Sequence, residues 1–399
     1  MKYLILVGDG MGDLPQEALG GRTPLRAAAT PNMDRLAREG LIGLAQTIPP
    51  GKEPGSDTAN MSLLGYDPAL YHTGRAPIEA AAMGVELGPT DIAFRCNLVT
   101  LERQAGRTIM AHYAAGHIDS ASAAVLIQAL DAALGRDGLR FYPGVSYRHL
   151  LLWRDGPLNA ATVPPHDRSG QAVDDVLAAG GEMTAVGGLT RASWPLLKEH
   201  PVNAQRQEQG QPPANSIWLW GQGTRPDFPT FAQRFGLSGV AVSAVDLIKG
   251  LGVLAGLKPV AVPGATGYLN TNYGGKVAAA LEGLRTGDLA YVHVEAPDEA
   301  SHSGELRLKL QAIEDFDRLV VGPLMQGLAG LGPHRLLLAT DHFTPLSTRT
   351  HGSQPVPFLL WDSERQGPGA PGFNEAAALA SGVREPQAHK LVQRLVEGF

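Results

Sequence analysis

The residues best suited to chemistry in this chain stand where apolar runs stop. Asp9 follows the run YLILVG inside Gly-Asp-Gly, and Ser56 sits in GKEPGSDTAN. Asp298 and His302 follow LAYVHVEA in EAPDEASHSGE, and Asp341, His342 and His351 lie in ATDHFTPLSTRTHG. Each has an ordinary explanation when taken alone. Asp9 suits a tight turn, Ser56 suits a helix N-cap, Asp298 and His302 form a stabilising i, i+4 pair, and a single loop histidine is usually polar surface. Taken together, they are carboxylates, imidazoles and one hydroxyl without a cysteine ligand, a set that fits Mn²⁺ or Zn²⁺ better than Ca²⁺. Seven ligands are too many for one tetrahedral ion, so two ions are the economical arrangement. A pair of ions can clamp the attacking and leaving oxygens of an in-line displacement, and coordination activates a hydroxyl near neutral pH. On that reading Ser56 is a nucleophile rather than a cap.

These side chains need a scaffold that gathers strand ends. YLILVG (3–8) reads as a strand buried on both faces of a mostly parallel sheet. TPNMDRLAREG (30–40) reads as a helix with Thr30 as cap, Pro31 in the first turn and Gly40 as stop. Further buried strands are expected at 289–296, 335–342 and 356–361, with helical patterns at 275–285 and 305–321. Adjacent residues in a strand point to opposite faces, so Asp341 and His342 can serve one site only where the chain turns, as Phe343-Thr344-Pro345 suggests. The alternation of strand and helix predicts a doubly wound α/β fold, with ligands at the carboxyl ends of the strands. From about residue 73 to 235 the pattern changes. FYPGVSYRHLLLWRDG resembles two strands of a smaller α+β unit, and RQEQGQPPANS (206–216) reads as a loop. The expected organisation is a discontinuous domain of 1–72 and 236–399 interrupted by an inserted domain of 73–235.

Composition narrows the class of function. The 399 residues suffice for about two domains, and 44% hydrophobic with 18% charged residues describe an ordinary globular chain. A net charge of −6 without a dense Lys/Arg run leaves no footprint for nucleic acid or an anionic membrane, so any anion site must be local. The N-terminal apolar run is too short for a signal peptide or a bilayer span. The single cysteine, Cys96, is expected as a buried thiol, and a cytoplasmic setting fits it.

The segments VGDGMGD, TPNMDRLAREG, PGSDTANMSLLGYDP, PGATGYLNTNYGGK, PDEASHSGE and TDHFTP with HGSQPVPFLLW span nearly the whole chain. They resemble the archaeal-type cofactor-independent phosphoglycerate mutase family, within the alkaline phosphatase superfamily. The resemblance implies an alkaline-phosphatase-like fold and interconversion of 3-phosphoglycerate and 2-phosphoglycerate through a phosphoserine on Ser56. It also implies one metal held by Asp9, Ser56, Asp341 and His342, and another held by Asp298, His302 and His351. Mn²⁺ stands first among the candidate ions, ahead of Zn²⁺, Co²⁺ and Mg²⁺. An anionic substrate needs cations around it, and the candidates are Arg95, Arg107, Arg148, Arg154, Arg225 and Lys249, with His112 and His117 as acid, base or substrate ligand. The family pattern usually has arginine where His117 stands. The inserted domain is expected to act as a lid over the substrate, hinged near 73 and 235. Phosphoryl transfer to another small metabolite, such as homoserine, or a metal phosphatase activity is the competing reading; no GxxxxGK[ST] nucleotide motif occurs.

Overall fold

The YLILVG run forms β1 (Lys2–Gly8), buried from Tyr3 to Gly8 in the computed structural model, which describes residues 1–399. After β2 (Leu41–Ala45), the chain runs through β3 (Asp91–Gln104), β4 (Arg107–His112), β5 (Leu139–Tyr142), β6 (Arg148–Arg154) and β7 (Ser216–Gly223). It then returns through β8 (Gly239–Val242), β9 (Lys258–Val260), β10 (Leu289–Val294), β11 (His334–Ala339), β12 (Val356–Asp362) and β13 (Arg384–Glu385). Two units result, Met1–His72 with Asp227–Phe399, and Thr73–Pro226. No helix is long and apolar enough to cross a membrane.

The first unit contains an eight-stranded sheet in the order β13-β2-β12-β11-β1-β10-β8-β9. All neighbouring pairs are parallel except the two made by β12. Leu4 and Leu6 of β1 share a core with Met33 and Leu36 of helix Pro31–Glu39 and with Val277 and Leu284 of helix Tyr273–Thr286. Thr30 is the N-cap of the first of these helices, but its side chain makes no cap bond. The Asp317 carboxylate accepts the amides of Asn32 (3.2 Å) and Met33 (2.7 Å) instead, so a distant residue satisfies the first turn. The 305–321 pattern resolves into helix Leu306–Phe316 followed by a wider turn, Asp317–Val321.

The inserted unit ends at Pro226 rather than near 235. Residues beyond 226 belong to the first unit because Phe228 and Phe231 pack on Tyr66, with ring centroids at 4.1 and 6.2 Å, and the Tyr66 hydroxyl donates to the Pro229 carbonyl at 2.7 Å.

The second unit is antiparallel, with β3 pairing β4, β6 and β7 while β5 adds to β6. Helices Ser120–Leu134 and Met183–Lys198 bring Leu126, Ile127, Leu130, Met183 and Val186 into one core with Phe94, Cys96, Leu98 and Trp218 of the sheet. Cys96 is buried and free, and burial pushes its thiol up. The expected loop 206–216 is only partly a loop. Its first residues finish helix Pro201–Glu208, because the buried Arg206 guanidinium donates to the Ala115 carbonyl at 2.7 Å and the Pro212 carbonyl at 3.0 Å. At the ends of this unit, the Thr73 hydroxyl donates to the Thr224 carbonyl at 2.5 Å. A Cβ at Gly74 would strike the Gln222 carbonyl, so only glycine lets these strands of chain meet.

Candidate metal centre

The sheet order β11-β1-β10 puts three parallel strand ends side by side, and each ends in a turn that carries candidate ligands. Asp9 follows β1, helix Ala296–Ser303 with Asp298 and His302 follows β10, and Asp341 with His342 follows β11. The Asp9 amide donates to the Val294 carbonyl at 3.0 Å, and the Gly10 amide donates to Asp341 Oδ1 at 3.0 Å, tying the three turns together. Gly10 has φ +62°, and any Cβ there would overlap the Asp298 carboxylate. Glycine is therefore required for both the turn and the close approach.

Ser56 is the first residue of helix Ser56–Leu63; Gly55 is the cap and no side-chain cap bond forms. The N-cap explanation therefore fails. Ser56 Oγ lies 3.2 Å from His342 Nε2. One turn along the helix, Asn60 donates to the Ser56 carbonyl (2.9 Å) and to Asp341 Oδ2 (2.8 Å), and Tyr291 donates to the Asn60 amide oxygen.

The hydrogen bonds assign the histidine tautomers. Thr344 has one hydroxyl hydrogen, which goes to Asp298 Oδ1 at 2.6 Å, so at 3.1 Å it accepts from His342 Nδ1–H. That leaves His342 Nε2 as a lone pair 3.4 Å from Asp9 Oδ1 and 3.4 Å from Asp341 Oδ2. His302 Nδ1–H donates to the Arg349 carbonyl at 2.9 Å, directing Nε2 to Asp298 Oδ2 and His351 Nε2, both at 3.1 Å. His351 Nε2 is 3.6 Å from the same carboxylate oxygen. Atoms sharing one ion at bonds of about 2.0–2.2 Å sit roughly 2.8–3.6 Å apart, and both sets have this spacing.

Electrostatics points the same way. Burial, then the carboxylates of Asp341, Asp298 and Glu295, push the Asp9 carboxyl well up. Burial pushes Asp298 up as well, but hydrogen bonds from His302 and His351 outweigh it and hold the carboxyl well below its usual range. The Asp298 carboxylate in turn raises His302 to about 9. Burial lowers His342. Asp9 Oδ1 and His293 Nε2 are buried without a hydrogen-bond partner. Buried carboxylates at this density with orphaned donor atoms fit a divalent cation, which would neutralise the charge and occupy the lone pairs.

The groups Asp298, His342, His351 and Asp9, His293, Asp341 each bring donor atoms within 4.8 Å of one another. His293 was not singled out from the sequence. Its signal was a lone histidine in the otherwise apolar strand LAYVHV, one residue before its carboxyl end. Lys309 was missed too. Buried on helix Leu306–Phe316, it donates to Asp13 Oδ2 (2.8 Å) and to the carbonyls of Gly12 (3.2 Å) and Thr344 (2.9 Å), linking the turns after β1 and β11.

Of the expected substrate residues, Lys249 is in the first unit, half-buried on helix Asp246–Leu254, with Nζ 3.0 Å from Asp246. His117, Arg148 and Arg225 are exposed residues of the second unit. His117, at φ +54°, stands edge-on to Tyr113 and Tyr147, and the Arg148 guanidinium lies 5.6 Å from the Tyr147 ring centre. Arg95 is buried, 2.9 Å from Glu79 and 4.3 Å over Trp220. Arg154 faces Asp137 at 3.2 Å, and Arg107 and His112 are exposed at the two ends of β4.

Residues 37–203 match the family model described as 2,3-bisphosphoglycerate-independent phosphoglycerate mutase. A probable 2,3-bisphosphoglycerate-independent phosphoglycerate mutase of Geobacter sulfurreducens is 50% identical, covering all of both chains. The 2,3-bisphosphoglycerate-independent phosphoglycerate mutase of Methanosarcina acetivorans is likewise 50% identical over all of both chains. Among solved structures, a Pyrococcus horikoshii protein superposes with TM-score 0.83 at 28% identity, covering 99% of this chain and 96% of its own. The cofactor-independent phosphoglycerate mutase of Thermoplasma acidophilum gives 0.67 at 26%, covering 100% and 99%. Identity of one residue in two along the entire length leaves a single assignment, and the chain belongs to the 2,3-bisphosphoglycerate-independent phosphoglycerate mutase family.

Proposed function

We propose that the chain interconverts 3-phosphoglycerate and 2-phosphoglycerate in the cytoplasm, without bisphosphoglycerate, through a phosphoserine on Ser56. The observation that carries this reading is the placement of Ser56 Oγ, at a helix start, 3.2 Å from His342 Nε2 in a cluster of buried carboxylates. Asp9, Ser56, Asp341 and His342 would hold one divalent cation, and Asp298, His302 and His351 a second, supplying charge neutralisation for the transferring phosphoryl group. Mn²⁺ is the ion we assign, since mixed imidazole and carboxylate donors suit it better than Mg²⁺.

Ser56 Oγ forms the bond to phosphorus as the bond from phosphorus to O3 of glycerate breaks, and O3 takes up the proton that Ser56 gives up. Glycerate then turns, its O2 hydroxyl forms the bond to phosphorus as the bond from phosphorus to Ser56 Oγ breaks, and Ser56 Oγ takes up the proton that O2 gives up while O3 keeps its own. The first-turn amides of helix Ser56–Leu63 favour an anionic phosphoryl group at this point. Throughout, the glycerate carboxylate must be held and water kept out, because hydrolysis of phospho-Ser56 would make a phosphatase. We assign substrate holding to Lys249 and to His117, Arg148 and Arg225 of the inserted unit.

The test is an enolase-coupled assay on metal-loaded protein with 3-phosphoglycerate and no bisphosphoglycerate. Steady 2-phosphoglycerate formation is expected. Phosphate release with no 2-phosphoglycerate would replace the mutase reading by a phosphatase.

A further inference from the structure

We infer that His293 is a further ligand residue of the Asp9 and Asp341 site, binding the divalent cation through Nε2. The inference rests on the two-metal reading above and extends it into the strand interior.

His293 pairs in register with Val7 of the parallel neighbour β1, and Asp9 lies two residues beyond Val7. Side chains alternate along a strand, so the His293 ring and the Asp9 carboxylate emerge on the same face of the sheet. The ring is fully buried. Its Nδ1 lies 3.3 Å from Ser243 Oγ, which also accepts the Val245 amide at 3.0 Å. With Nδ1–H donated to Ser243, Nε2 keeps its lone pair, the arrangement usual for a metal-binding imidazole whose other nitrogen is fixed by a hydrogen bond. The His293 backbone is pinned as well, its carbonyl accepting from Lys276 Nζ at 3.1 Å.

Nε2 is 2.9 Å from Asp9 Oδ2, yet the two are not aligned as a hydrogen bond, and Nε2 is left without a partner. Asp9 Oδ1 is without a partner in the same cluster. An unpaired buried polar atom costs about 1–3 kcal/mol, and two in one cluster of candidate ligands are better explained by a shared ion than by two independent defects. The 2.9 Å spacing fits adjacent ligands on one ion, and His293, Asp9 and Asp341 offer donor atoms within 4.8 Å of each other. His149, also buried with an unpartnered Nε2, belongs to neither ligand group, so burial alone does not produce this geometry. With His342, the site then carries two imidazoles beside its oxygen donors, which shifts its preference from Mg²⁺ toward Mn²⁺, Co²⁺ and Zn²⁺.

The test is calorimetric titration of the metal-stripped full-length protein with Mn²⁺, then with Co²⁺. Wild type should bind two ions. His293→Asn should weaken one of them by at least roughly tenfold to a hundredfold and spare the other, while His302→Ala weakens the other. In the Co²⁺-loaded protein, His293→Asn should also remove one hyperfine-shifted imidazole N–H proton resonance. Two ions bound within threefold of wild type, with every shifted resonance retained, would overturn the role of His293 alone. Wild type binding fewer than two ions would instead overturn the two-metal reading and this inference with it. Should His293→Asn fail to fold, Ser243→Ala decides: about tenfold weaker binding of one ion supports the inference, and unchanged binding overturns it.

Discussion

The strand-end cluster of the first unit and the aromatic cluster of the second hold their charges differently. In the first, buried polar groups at the carboxyl ends of parallel strands are fixed by directional hydrogen bonds, as the Gly10 amide and the Asn60 side chain fix Asp341 and the Thr344 hydroxyl fixes Asp298 and His342. In the second, cations lie on aromatic faces, Arg95 over Trp220 at 4.3 Å and Arg148 near Tyr147 at 5.6 Å, with the His117 and Tyr147 ring centres 5.8 Å apart. Hydrogen-bonded burial fixes a donor atom to a few tenths of an ångström, as a coordination sphere demands. Contact with a ring face places positive charge without the directional demand of a hydrogen bond.

The comparison breaks most sharply at Ser56. Ser56→Ala should lower mutase turnover by at least roughly a thousandfold while leaving the circular dichroism and thermal unfolding of both units unchanged. Retention of activity within tenfold of wild type would mean that the rigid site is not where the phosphoryl group is carried.

Next in size is the buried Lys309–Asp13 pair. Lys309→Met leaves the Asp13 carboxylate buried and uncompensated, and should cost about 3–5 kcal/mol in urea unfolding, with much of the loss recovered when Asp13→Asn is added. A loss below about 1 kcal/mol would show that the turns after β1 and β11 hold themselves without this clamp.

Smaller effects are expected from the second unit. Arg148→Ala or Arg225→Ala should raise KM by roughly tenfold and increase the phosphate released per 2-phosphoglycerate formed, as glycerate escapes before it is rephosphorylated. A release ratio and turnover equal to wild type in both variants would remove these arginines from substrate holding.

The last effect is one of pH and concerns His149, which takes the Gly144 amide on Nδ1 at 2.9 Å. Burial lowers its imidazole to about 3. The unfolded chain, with an ordinary histidine, binds a proton below about 6.5 that the folded chain refuses until about 3. Stability from His149 is therefore complete above about pH 6.5 and drains away as pH falls toward 3. His149→Gln should flatten the acid slope of the melting temperature over that window; an unchanged slope would assign acid lability to the carboxylates of the first unit.

Much of the site was legible because its residues stand where the chain changes direction. Gly-Asp-Gly after β1, the i, i+4 pair of Asp298 and His302, and the turn at Phe343-Thr344-Pro345 announce themselves by local pattern. His293 did not, since a histidine inside LAYVHV interrupts no period and the carboxylate it approaches, Asp9, follows a strand far away in sequence. Lys309 was hidden for a similar reason: a lysine on an amphipathic helix reads as solvent-facing until the carboxylate that pairs with it is known. The fold followed the same rule. The strand and helix alternation of the first unit was readable, whereas the Asp317 cap of helix Pro31–Glu39 and the Tyr66 cluster that pulls residues beyond 226 into that unit depend on partners remote in the chain.

The meeting of Thr73 with Thr224 bears on the order of folding. A domain interrupted by a long insertion must bring together two chain segments separated by the whole inserted length, and the entropy lost in doing so grows with that length. Once the second unit has formed and its ends are held together, the interruption shrinks to a short turn. For an interruption on the order of 150 residues the difference is about 3 kcal/mol, so prior folding of the insert acts as a staple on the unfolded chain of its host.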